Sequence, residues 1–161
     1  MGEGEFALVQ DHLEEARKKP VSTRGFVMTE ADRYFLLAEL AVQERDEVAL
    51  RQYAPLAEET ALGDNHLLFQ ASAQRAWGVL HRLEGNYEEA ETRLAQALEM
   101  FGGLETRWQI GRTLYELAEL ALARTDRAKA RDYFSRALAE FEELKAAPDE
   151  ARTQTALEAL Q

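Results

Sequence analysis

Three histidines, several acidic pairs and a set of arginines at repeating positions are the residues of this chain that can do chemistry. His12, His66 and His81 lie far apart, with no His-x3-His or His-Glu-x2-His spacing, so no zinc site is legible. His81 suits packing against an adjacent helix better than ligation. Glu88/Glu89 and Glu142/Glu143 are neighbouring carboxylates. Adjacent helical residues point about 100° apart, so such pairs do not converge on a substrate. Gly102-Gly103 lacks the strand before it and the Lys-Ser/Thr after it that a phosphate loop needs. No Gly-x-Ser-x-Gly elbow is present. There is no cysteine, which removes disulfides, thiolate metal sites and a thiol nucleophile. No enzyme, cofactor or metal site is expected. What remains is Arg75, Arg82, Arg112 and Arg152, whose guanidinium donors match the two oxygens of a carboxylate or phosphate.

The composition narrows the partners further. Of 161 residues 46% are apolar and 30% charged, the balance of one globular domain with a core of its own. A net charge of −11 argues against a nucleic-acid binder, because backbone affinity comes from Lys and Arg releasing counterions. No apolar run is long enough to cross a membrane, and the N-terminus Met-Gly-Glu-Gly-Glu lacks a basic or apolar leader. A cytoplasmic location is the simplest expectation.

The elements that must position these arginines read as helices almost throughout. Phe6, Val9, Leu13 and Ala16 predict a first amphipathic helix over 5–19, closed by Pro20. Thr29 predicts the N-cap of the next helix, striped by Tyr34, Leu37, Leu40 and Ala41. Asp46 predicts a helix to Leu62, with Gly63 as a left-handed stop, and Asp64 predicts the cap of a helix to about Glu84. Asn86 with Glu89 resembles a capping box, and Gly102-Gly103 ends that helix. Further helices are expected over 104–124 and from Asp126 to about Ala146, and Pro148 suits the first turn of a last one. The expectation is an all-α protein of about seven helices, paired through short turns at 45–46, 85–86 and 125–126.

These helices repeat with a period of 40 residues, pairing Leu80 with Leu120, Ala90 with Ala130, Ala97 with Ala137 and Phe101 with Phe141. Such self-similarity marks a solenoid, in which each unit buries its apolar face against its neighbours. Gly78 and Ala118 are expected to let two helices approach closely, with Leu94 and Phe134 filling the space beside them. In the first unit, either Leu50 and Ala54 or Ala49 and Tyr53 take the packing positions.

These small and large residues resemble the tetratricopeptide repeat pattern, with Trp77-Gly78 and Leu117-Ala118 on first helices and Ala90-x3-Leu94 and Ala130-x3-Phe134 on second helices. The first unit follows with Leu37-Ala38. The resemblance implies one domain built as a right-handed α-α superhelix, with units at 29–67, 68–107 and 108–147, an N-terminal helix and loop at 1–28 and a terminal helix at 148–161. Its period exceeds the family's usual one, so helices or turns must be longer. It is similar to long-repeat arrays of bacterial signalling and regulatory proteins, and implies a module that binds a peptide or helix of a partner. In the family, first helices line a concave groove. Their faces carry Asp32, Phe35, Glu39 and Val42, then Ser72, Arg75, Val79 and Arg82, then Arg112, Tyr115, Glu119 and Leu122, with Arg152 beyond. Phe35, Glu39, Arg75, Arg82, Arg112, Tyr115 and Arg152 are therefore the expected groove contacts, suited to an acidic segment. The alternative is that the arginines pair with glutamates one turn away on solvated helices. Other expectations for the whole are an oligomerisation or scaffold segment, with Ala156, Leu157 and Leu160 open for homodimer contact, or a small-ligand sensor.

Overall fold

The 40-residue period is a count of helix and turn. A computed structural model describes residues 28–160, and these hold seven α-helices: α1 Glu30–Glu44, α2 Glu47–Gly63, α3 Leu67–Leu83, α4 Tyr87–Gly103, α5 Arg107–Ala123, α6 Arg127–Leu144 and α7 Ala147–Glu158. The helix expected at 5–19, its Pro20 stop and His12 lie outside the described residues. Helices α2 to α5 are each 17 residues long, and three-residue turns separate them, so two helices and two turns make one period. The fold is an all-α solenoid.

Every turn is built alike. Arg45, Asn65, Gly85, Glu105, Thr125 and Lys145 all have positive φ, one every 20 residues. The amide just after each reaches back to a carbonyl five residues earlier: Asp46 to Ala41, His66 to Ala61, Asn86 to His81, Thr106 to Phe101, Asp126 to Ala121 and Ala146 to Phe141, at 2.8–3.1 Å. This is the Schellman closure, which satisfies a carbonyl that the helix leaves free. The same residue then serves as the next N-cap.

Several expected caps hold. The Thr29 hydroxyl accepts from the Asp32 amide at 3.1 Å while the Asp32 carboxylate accepts from the Thr29 amide at 2.9 Å, a reciprocal capping box. Asp46 and Asp126 cap α2 and α6 by accepting from Ala49 and Lys129. Others are corrected. The left-handed residue after α2 is Asn65, not Gly63, which shifts the cap from Asp64 to His66, whose Nδ1 accepts from Phe69. Asn86 makes no capping bond, because its amide turns to Glu84.

Consecutive helices pack antiparallel, and α1 also packs on α3 and α3 on α5. Gly78 is where α3 meets α4: a Cβ there would lie 2.6 Å from Leu94 Cγ. Gly111 plays the same part for α5 and α6, where a Cβ would lie 2.7 Å from the Phe141 ring. Both alternatives in the first unit are realised, since Leu50, Ala54, Ala49 and Tyr53 are all buried. One core spans α1, α2 and α3, and a second spans α5, α6 and the end of the chain. That second core overturns the open end face expected of α7. Leu160 is only 6% exposed, and Ala156 and Leu157 are half-buried against the same cluster, so these side chains are covered within the chain.

Candidate partner-binding face

First helices α1, α3 and α5 share one face, and charged side chains from all three meet on it. Arg75 of α3 donates from Nη2 to both oxygens of Glu39 on α1, at 2.6 and 2.8 Å. Its Nη1 lies 3.3 Å from the Gln109 carbonyl and 3.4 Å from the Thr113 hydroxyl, both on α5. Arg112 of α5 also donates to Glu39. One turn or two further along, Arg45 donates to Glu116 Oε1 at 2.6 Å, and Arg82 reaches Glu116 Oε2 at 3.4 Å and Glu119 at 3.9 Å.

Arg75, Arg82 and Arg112 come together and pair with carboxylates of other helices, whereas Arg152 pairs with Asp149 one turn away on its own helix. Arg75 is corrected as a direct contact: it is wholly buried, and its guanidinium lies inside the protein. Tyr115 is corrected as an open anchor, since it is 7% exposed and sets its edge against Phe134 at 5.0 Å between ring centres. Phe35 stays half-buried and stacks on Phe69 at 4.3 Å, with His66 on the far side of Phe69 at 3.9 Å. Arg152 lies 4.1 Å above the Tyr115 ring and 3.6 Å from Asp149. His81 is half-buried, its ring stacked on Trp77 at 5.6 Å.

Burial and pairing shift several of these groups: burial, ahead of the opposing Glu39, brings the Arg75 guanidinium down from its usual range. Burial works against charge on Glu39, but Arg75 and Arg112 outweigh it and hold its carboxyl below the usual carboxylate range. Burial likewise opposes charge on Arg45, and Glu116 overcomes it, raising the guanidinium further. Burial and then Glu119 push the Tyr115 hydroxyl up. Not every donor is used: the buried Nε groups of Arg82 and Arg152 have no hydrogen-bond partner among the described residues.

Arg45 and Glu116 were absent from the expected site. Arg45 sits in a turn, where no face can be read. Glu116 did carry a signal, because one and two periods earlier its register holds Ala76 and Leu36. A carboxylate in an apolar register marks a group with a buried partner.

The outer side offers a cavity of about 210 Å³, floored by Leu117, Leu120 and Ala121. Its cations are already engaged: Arg124 and Lys129 both pair with Glu91. Among the described residues no His, Cys, Asp and Glu group can hold a metal ion, and no helix is long and apolar enough to cross a membrane.

No curated protein matches the sequence. A crystal structure of BtubC (BKLC) from P. vanneervenii is similar in fold, with a TM-score of 0.66 at 20% identity, covering 98% of this chain. The chain spans 66% of the length of that protein. Residues 69–143, which run from α3 to α6 across the repeating turns, match the family model described as tetratricopeptide repeat. The solenoid and its small-residue contacts agree with that match: residues 69–143 carry tetratricopeptide repeats.

Proposed function

We propose that the chain binds an acidic segment of a partner protein along the face of α1, α3 and α5. Tetratricopeptide repeats are protein-interaction modules, and in this one the under-used cations gather on that face. The observation that supports the reading best is Arg152, 38% exposed at its side chain, 4.1 Å over the Tyr115 ring and, among the described residues, paired with Asp149 alone at 3.6 Å. Arg82 and Arg112 extend the cationic track, and the Phe35/Phe69 stack gives an apolar anchor at its other end. Arg75 and Glu39 act beneath the surface by positioning Arg112. In a chain of net charge −11, such a track also steers acidic ligands to one place.

Selection of peptides from a random display library, followed by anisotropy with labelled winners, tests this. The expected winners are rich in Asp and Glu. Their Kd should rise at least about tenfold, near 1.4 kcal/mol, in Arg152→Glu/Phe35→Ala. Lys129→Glu on the outer side should leave it unchanged. Winners without acidic residues, or equal affinity in both variants, would overturn the reading.

A further inference from the structure

A solenoid unit touches only its neighbours, yet here the first and third first-helices are joined directly. Arg112 of α5 reaches Glu39 of α1, 73 residues away in sequence, and Arg45 at the end of α1 reaches Glu116 of α5, 71 residues away. We infer that these two pairs form an ionic latch that ties α1 to α5 across α3 and holds the inner face closed.

Three observations set the latch apart from ordinary surface ion pairs. First, it is largely shielded: the side chains of Glu39, Arg112 and Glu116 are 12%, 12% and 5% exposed, and that of Arg45 is 28% exposed. Water and salt screen such pairs far less than exposed ones. Second, no buried apolar cluster among the described residues duplicates it. The buried cluster containing α1 residues includes none from α5, and the cluster containing Tyr115 and Ala118 includes none from α1. The two ion pairs therefore join helices that share no buried apolar cluster.

Third, each latch carboxylate has a second arginine from α3, Arg75 on Glu39 and Arg82 on Glu116. Releasing a latch arm therefore leaves its carboxylate paired, which avoids the large cost of a naked buried charge. The freed arms also have resting places. Arg112 already lies 4.8 Å over the Trp108 ring, and Arg45 donates to the Val42 carbonyl. Opening is then a rigid rotation of adjacent units about α3, a hinge-like change between two packed states.

The chain lacks cysteine, so Gln43→Cys and Ala123→Cys place two spin labels cleanly on exposed positions near the ends of α1 and α5. Pulsed dipolar spectroscopy of this labelled protein should give one short, narrow distance peak. Adding Arg45→Gln/Arg112→Gln should shift and broaden that peak to longer distance, while adding Lys129→Gln, which breaks a pair on the outer side, should not. An unchanged peak in the double variant would overturn the latch. Equal broadening in the Lys129→Gln control would overturn it too. Helix content by circular dichroism is read alongside; if the double variant has lost it, Arg45→Gln alone is judged by the same criterion.

Discussion

Individual residues divide into those that hold helices together and those that hold charges inside. Gly78 belongs to the first kind. A methyl group there meets Leu94 at 2.6 and 2.8 Å, so Gly78→Ala should lower stability by about 1–3 kcal/mol despite the gain in helix propensity. Gly102, in the last turn of α4, has nothing within 4 Å, and Gly102→Ala should instead stabilise by roughly 0.5–1 kcal/mol. Thermal melts of the two variants moving in the same direction would refute this account of the contacts. The Gly78 contact was legible because a large apolar residue precedes the small one at its register, as in Leu37-Ala38, Trp77-Gly78 and Leu117-Ala118. Gly111 was not, since its register Ala31, Ala71 and Ala151 is small but has no such neighbour, Ile110 aligning with Glu30, Gln70 and Glu150. Glu39 is of the second kind. Its carboxyl pKa lies below the ordinary value, so its stabilisation is present above that ordinary value and disappears as pH falls through the depressed one. Glu39→Gln strands Arg75 and should cost about 3 kcal/mol near neutral pH, with the difference from wild type shrinking under acid conditions. Denaturant melts between neutral and acid pH read both effects.

At the scale of the helix and its turn, the sequence shows the stripes more clearly than the boundaries. Apolar periodicity placed every helix among the described residues, because burial of one face imposes it directly. The stops were harder, since five of the six left-handed positions are not glycine. Arg45, Asn65, Glu105, Thr125 and Lys145 accept that conformation because the Schellman bonds around them hold it. Thr125 bears the greatest strain, being β-branched at φ 62°. Thr125→Gly should therefore stabilise by about 1 kcal/mol, whereas glycine in a helix interior destabilises by a similar amount. A lower melting temperature would show that the Thr125 side chain contributes more than its strain costs. Helix α7 shows the same limit of sequence reasoning. Its apolar residues were readable, but whether they faced the chain or a second molecule depended on the α6–α7 turn. Leu160→Ala should speed amide exchange in α7 and leave α1 to α4 unchanged, because solenoid stability is local. Equal acceleration throughout would show that the array unfolds as one unit.

For the whole molecule, helix packing and charge are coupled. The sequence revealed that arginines share a face, because one helix period aligns them. It did not reveal that carboxylates of other helices neutralise Arg75, Arg82 and Arg112, because that depends on how the helices pack in space. This neutralisation gives the proposed ligand reading a sign that simple electrostatics does not share. Removing Arg45 takes a cation from the face and, on charge alone, should weaken an acidic peptide. If the closed array is the state that excludes the peptide, removing Arg45 also releases one latch arm and raises the open population. Apparent affinity scales with the fraction of molecules competent to bind. Arg45→Gln should then tighten the acidic peptide by about fivefold or more, the lower end of ordinary coupling free energies. Arg152→Glu, which removes a contact without touching the latch, should weaken it. Titrations at one fixed ionic strength separate the two accounts, since weaker binding in both variants would leave the latch with no part in recognition.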